Sequence, residues 1–221
     1  QGGVYARGVA SGGAGGTTDW SATGRGYVAP KVGSGVVHLG LNGSYRSYET
    51  SATTNFEQRP EAHLAEKVLR TGNIANPASE TRFGPEIAAV FGPFSAQAQY
   101  DWSEIDRNGG LSSVSTEGGY VEASWFVTGE SRNYDVKSGA FGRPKATNAI
   151  QLAARYSVLK LDDAALTDAR RGTMDNFTLG ANYFFNPNVR LMVNWVNSTV
   201  DYVASPKETY NIVQSRLQLD W

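Results

Sequence analysis

Residues 175–195 read DNFTLGANYFFNPNVRLMVNW, and this stretch decides the fold. In its first half Phe177, Leu179, Ala181, Tyr183 and Phe185 alternate with Asn176, Thr178, Gly180 and Asn182. In its second half Val189, Leu191, Val193 and Trp195 alternate with Arg190, Met192 and Asn194. A period of two sends successive side chains to opposite faces of an extended strand. The Asn186-Pro187-Asn188 between the halves joins a fixed φ to residues that tolerate turn geometry, so the two runs read as a β-hairpin.

The same period continues on both sides of the hairpin. The closing YNIVQSRLQLDW sets Val213, Leu217, Leu219 and Trp221 against Gln214, Arg216, Gln218 and Asp220. Upstream, AIQLAARYSV sets Ile150, Leu152 and Tyr156 against Gln151 and Arg155. GGYVEASWFVTG sets Val121 and Trp125 against Glu122 and Ser124, and FSAQAQYDW sets Tyr100 and Trp102 against Gln99 and Asp101. VVHLGLNGSYR sets Leu39, Leu41 and Tyr45 against His38 and Arg46. The weaker runs GVYARGVA and DWSATGRGYVAP keep Arg7 and Arg25 on the polar side. RPEAHLAEKVLRTG (59–72) fits an amphipathic helix and a strand equally well.

Composition narrows the choice of class. The chain has no cysteine, which removes disulfide frameworks and thiolate metal sites. A net charge of -1 leaves no basic field for nucleic acid. No apolar run is long enough for a transmembrane helix. The mean hydropathy of -0.37 does not exclude a membrane β-barrel, which turns polar residues inward and apolar ones outward. The 25 Gly beside 11 Tyr, 9 Phe and 5 Trp favour strands with tight turns. The pattern predicts about eleven strands, each near the 9–11 residues that cross a bilayer when tilted, with aromatic residues at their ends. The expected fold is therefore all-β, a transmembrane antiparallel barrel, with Tyr183, Phe185, Trp195 and Trp221 at the membrane interfaces.

Several stretches, HLGLNGSYR, RPEAHLAEKVLRTGNIAN, GPEIAAVFGPFSAQAQY, GGYVEASWFVTGESRNYD, GAFGRPK, QLAARYSVLKLDD, DNFTLGANYFFNPNVRLMVNW and LQLDW among them, together resemble the phosphate-selective porin O and P family. They lie in the family's order and cover most of residues 34–221. The resemblance implies a water-filled outer-membrane barrel of about sixteen strands, usually trimeric. It also implies that residues 59–72 form a strand. About eleven strands would leave Gln1 on the outer side, so the expectation is a single domain, residues 1–221, forming the C-terminal part of a longer porin that lacks about five strands here. ESRNYDVKSGAFGRPKATN falls where a short turn belongs, and nothing in the sequence explains its length.

On this reading the polar face lines a pore. Its basic residues are Arg7, Arg25, Arg46, Lys67, Arg155, Arg190 and Arg216, and its acidic residues are Glu61, Glu86, Asp101, Glu122 and Asp220. Arginine suits anions because its planar fork makes paired, charge-assisted hydrogen bonds. The same residues also suit cross-strand bracing, as Arg155 and Glu122 would on neighbouring strands. Expected partners are outer-membrane lipid, two further copies in a homotrimer, and small anionic solutes such as phosphate, with no nucleic acid and no cofactor. GGAGG (12–16) lacks the lysine of a phosphate-binding loop. His38 and His63, on separate runs, show no metal-ligand spacing and no catalytic motif.

Overall fold

The computed structural model describes residues 1–6, 18–49 and 52–220. They form ten strands in chain order, each antiparallel to the next: β1 (Gly2–Ala6), β2 (Thr18–Val28), β3 (Gly35–Tyr48), β4 (Pro77–Phe91), β5 (Phe94–Arg107), β6 (Val114–Phe126), β7 (Ala149–Leu161), β8 (Gly172–Asn186), β9 (Val189–Tyr202) and β10 (Glu208–Leu219). Lys31–Val32 pairs with the start of β3 and is the eleventh strand of the sheet. Among the described residues β1 and β10 each have one neighbour, and the sheet does not close on itself. Apart from β1, the principal strands run 11–15 residues, against an average of about 5–6 in globular proteins.

The turns follow from their residues. Gly92, at φ 54°, and Pro93 alone join β4 to β5, and a primed hairpin turn needs that positive φ at its first central position. Between β8 and β9 the Asn188 N–H donates to Asn186 Oδ1 at 2.8 Å, closing an Asx turn around Pro187. These short turns lie at one end of the strands, the turn end. The connections 49–76, 108–113, 162–171 and 203–207 lie at the other, the loop end.

One face of the sheet is apolar and uncovered. Leu41, Ile87, Val121, Leu152, Leu179 and Val193 all remain exposed, Val121 at 51%. A sandwich would bury that face against a second sheet, but the three small two-stranded sheets among the described residues lie in connections over the other face. The packed apolar residues instead lie on the opposite, polar face, where two connections fold back over it.

The first is the tongue, residues 49–76, which enters from the loop end. Two short ladders stiffen it: Thr53–Thr54 with Ile74–Ala75, and Glu57–Gln58 with Leu69–Arg70. Val68 and Leu69 pack on Leu161, Met174, Val200 and Tyr202 of β7, β8 and β9. Ile74 packs on Ile105, Val114 and Leu166. The expected strand over 59–72 is therefore overturned, and so is the helix. Pro60 has no N–H for a ladder, and the apolar side chains here cover the inside of the wall instead of alternating within it. With this stretch out of the wall, ten long strands cross it. The Gly2 end of β1 then lies at the turn end, the side opposite to that expected from an odd count.

The second is the strap, residues 127–148, which enters from the turn end. Its tip is a small hairpin pairing Tyr134–Asp135 with Ala140–Phe141. Phe126, Ala146, Ala149 and Phe184 form an apolar cluster at its base. Its tip reaches β2 and β3, while Arg143 on its return limb reaches Asp220 Oδ2 at 3.2 Å and Asn188 Oδ1 at 3.3 Å. The unexplained length of this connection is what a strap crossing the polar face requires.

The tongue is also stapled to the loop 162–171. Arg70 Nε donates to Asp168 Oδ1 at 3.1 Å, and the Arg170 N–H donates to the same oxygen at 2.8 Å. Burial opposes ionisation of Asp168, but these donors and the two arginine charges outweigh it and hold the carboxyl below its ordinary value of 3.8.

Two outcomes test this packing. Leu69→Ala deletes a fully buried side chain between tongue and wall, and urea unfolding in detergent should show a loss of about 2–5 kcal/mol. A depressed native pKa contributes stability that is fully present above the unfolded value and lost as pH falls through the folded one. Asp168→Asn should therefore speed proteolysis of the tongue at neutral pH, while the two proteins converge below the ordinary aspartate range.

Candidate functional site

The two inward segments leave a cavity of about 540 Å³ on the polar face. Arg155 and Glu122 line it from the wall, Glu61 from the tongue, Arg132 and Arg143 from the strap, and Arg190 and Asp220 from the last strands. A second cavity of about 420 Å³ lies toward the loop end, and Glu61 and Arg155 line both. This pair therefore stands between the two spaces.

Glu61 holds that position at the tip of the tongue. Its φ of 50° is uncommon for a residue with a side chain, so its surroundings must hold it there. Its Oε1 accepts from Arg155 Nε at 3.2 Å and Ser157 Oγ at 2.6 Å, and its Oε2 from Thr178 Oγ1 at 3.0 Å. Its backbone carbonyl accepts from Gln214 Nε2 at 3.2 Å. One tongue residue is thus tied to β7, β8 and β10.

From there an alternating line of charge runs to the strap. Arg155 Nη1 lies 3.6 Å from Glu122 Oε2, and Arg132 Nη1 donates to Glu122 Oε1 at 3.4 Å. Arg155 stacks over the Tyr120 ring and Arg132 over Phe141, each 3.9 Å from the centroid. The rings hold the guanidinium planes, leaving their edges to hydrogen-bond. Nearer the turn end, Arg190 donates to Gln218 Oε1 at 3.2 and 2.8 Å. Arg216 is exposed and has no ion-pair partner among the described residues. The arrangement sets half-engaged guanidinium donors beside fully braced ones around a polar cavity, with Arg216 on the same face outside its lining.

The other residues singled out by sequence are placed as follows. Arg25, Arg46, Glu86 and Asp101 lie on the polar face of β2, β3, β4 and β5, away from the main cavity. Arg25 Nε donates to Glu86 Oε1 at 2.6 Å, and Arg46 Nη1 to Glu80 Oε2 at 3.4 Å. Asp101 accepts from Gln99 and leans over Gly84, where a Cβ would meet Asp101 Oδ1 at 2.0 Å. Glu61 and Lys67 belong to the tongue instead of a wall strand, which corrects the element assigned to them by alternation, while Glu61 still lines the polar-face cavity. Lys67 pairs there with Glu57. Arg7 and Trp221 lie outside the described residues.

On the uncovered face the aromatic side chains gather in two bands. Tyr183 and Phe185 pack edge-to-face at 4.8 Å near the turn end, as Phe94 and Trp125 stack at 5.9 Å. Trp195 meets Phe177 at 6.3 Å, and Phe83 meets Trp102 at 6.1 Å, nearer the middle of their strands. Phe177 and Phe185 are eight residues apart on β8, roughly 26 Å along the strand.

Strand periodicity missed Arg132 and Arg143 because they sit in a connection, and it missed Glu80 and Arg82, which pair on β4. The density of charge and aromatic residues in ESRNYDVKSGAFGRPK was the available signal for the first two.

Comparison with known proteins agrees with this geometry. The family described as phosphate-selective porin O and P matches residues 1–221. The chain is similar to Porin O of Pseudomonas aeruginosa, 28% identical over 213 residues, covering 82% of this chain and 48% of that protein. It is also similar to an uncharacterized protein of Caulobacter vibrioides, 30% identical over 158 residues, covering 67% of this chain and 31% of that one. The chain thus spans between about a third and a half of the length of these curated relatives. With an all-β antiparallel sheet, an uncovered apolar face and a charged cavity on the other, the chain belongs to the phosphate-selective porin O and P family.

Proposed function

We propose that this chain forms wall and constriction of a passive outer-membrane channel for small hydrophilic solutes, with a preference for anions such as phosphate. The observation that carries this reading is the inverted arrangement of the sheet. Its uncovered face is apolar and banded by aromatics, which suits lipid, and its charged face is sheltered around cavities, which suits water and ions. A spanning sheet must satisfy its edges, so further strands beside these ten would complete a barrel of about sixteen. Solutes would diffuse down their gradients without a chemical step.

The anion preference rests on the charge of the main cavity. Arg132, Arg143, Arg155 and Arg190 outnumber Glu61, Glu122 and Asp220 there, and Arg216 lies on the same face without a counter-charge. Rings of arginine favour anions, as rings of carboxylate favour cations. Family membership supports the same direction.

Planar-bilayer recording of the natural protein under a KCl gradient tests the reading. Stepwise conductance with an anion-selective reversal potential is expected, and phosphate should reduce the chloride current. Cation selectivity would remove the arginine argument, and well-folded protein that never conducts would remove the channel. A second measurement tests the lipid-facing assignment. Val193 lies midway between the aromatic bands, so Val193→Arg should cost about 2–4 kcal/mol when folding into bilayers, whereas a charge introduced at the loop end of β9 should cost much less.

A further inference from the structure

The strap has to be held against the polar face, and the structure shows how. His38 on β3 is 2% exposed. Its Nδ1 lies 2.5 Å from the Tyr134 hydroxyl of the strap, and its Nε2 lies 2.9 Å from Glu86 Oε1 on β4. A neutral imidazole protonated on Nε2 satisfies both contacts, donating to the carboxylate and accepting from the phenol. Glu86 Oε1 also takes the Arg25 Nε hydrogen bond. The other nitrogens of Arg25 donate to the strap carbonyls of Ser138 at 3.2 Å and Gly139 at 2.8 Å. Tyr27 stacks on His38 with centroids 5.2 Å apart, and its hydroxyl donates to the carbonyls of Val136 and Lys137.

Every member of this cluster faces the tip of one segment. Gly139, at φ 63°, sits under the Tyr27 ring, where a Cβ would come within 2.7 Å of it. None of the cluster's four side chains from the wall and strap tip, His38, Tyr134, Glu86 and Arg25, lines the main cavity. Yet the strap they hold carries Arg132 and Arg143 into it. Among the described residues Glu122 and the Phe141 ring hold Arg132 in place, and Phe141 belongs to the clamped hairpin.

We propose that His38, Tyr134, Glu86 and Arg25 form a clamp that positions the strap, and that this clamp sets the width of the passage and keeps Arg132 in it. They are positioning residues: they act on solutes only through the strap. The inference rests on the channel reading above. The clamp explains why the one buried histidine among the described residues is fully engaged at both nitrogens, and why Arg25 bridges Glu86 and the strap carbonyls instead of facing the cavity.

Two variants of the natural protein in detergent and in planar bilayers test it. Tyr134→Phe removes one hydroxyl and keeps the ring, and His38→Ala removes the hub. Lys137 is exposed at the tip, and Tyr27 holds its carbonyl, so trypsin cleavage after Lys137 reports release of the strap. Cleavage should speed up about 2- to 10-fold in Tyr134→Phe, the shift that loss of one ordinary hydrogen bond produces. It should speed up further in His38→Ala, with the circular dichroism of the sheet unchanged. Both variants should conduct more per channel and shift the reversal potential toward cations, because Arg132 leaves Glu122. Unchanged cleavage and unchanged selectivity in Tyr134→Phe overturn the clamp even if His38→Ala fails to fold. Wild-type protein that does not conduct sinks the channel reading alone, since the proteolysis comparison still judges the clamp.

Discussion

An unpaired charge removed from water costs several kcal/mol, and that cost organises the polar face of this sheet. The tongue and strap take charged side chains out of bulk solvent, so the carboxylates there must meet a cation or hydroxyl donors. Glu61 shows the rule most fully, with a guanidinium, two hydroxyls and a side-chain amide around it. Arg155 then serves two carboxylates, Glu61 and Glu122, and Glu122 in turn serves Arg132. The line couples tongue, wall and strap.

The apolar packing supports this line from either end. At the loop end the polar face becomes apolar at Ile105, Val114, Leu161, Met174 and Val200, where the tongue covers it. At the turn end Phe126, Ala149 and Phe184 do the same beneath the strap. Burial of these side chains anchors the two segments, so the charged residues between them need only be oriented. The surroundings of the main cavity therefore depend as much on the two connections as on the wall. Arg132 and Arg143 come from the strap, and Glu61 comes from the tongue.

Most of the wall was legible in the sequence. The alternation in residues 175–195 yields β8, β9 and their turn, and the same period assigns Arg155, Arg190, Arg216, Glu122 and Asp220 to one face. Alternation works there because successive side chains of a wall strand point to opposite faces, one uncovered and mostly apolar, the other polar and covered by the tongue and strap. It fails at 59–72, where Glu61, Val68 and Leu69 answer to side chains on β7 to β9 more than 80 residues away in the chain. It fails again at 127–148, whose partners His38 and Asp220 lie near opposite edges of the sheet.

The sequence by itself determined the strands, their two faces and the aromatic residues of the uncovered face, because these depend on local period and on the identity of each side chain. Only the tertiary structure decided which connections fold inward and which charges meet. Those outcomes depend on distances between segments that no local pattern encodes: Tyr134 reaching His38, Arg143 reaching Asp220, and Glu61 closing on Arg155. Desolvation makes each of these meetings necessary once the connections turn in, and the apolar residues under the tongue and strap are what turn them in.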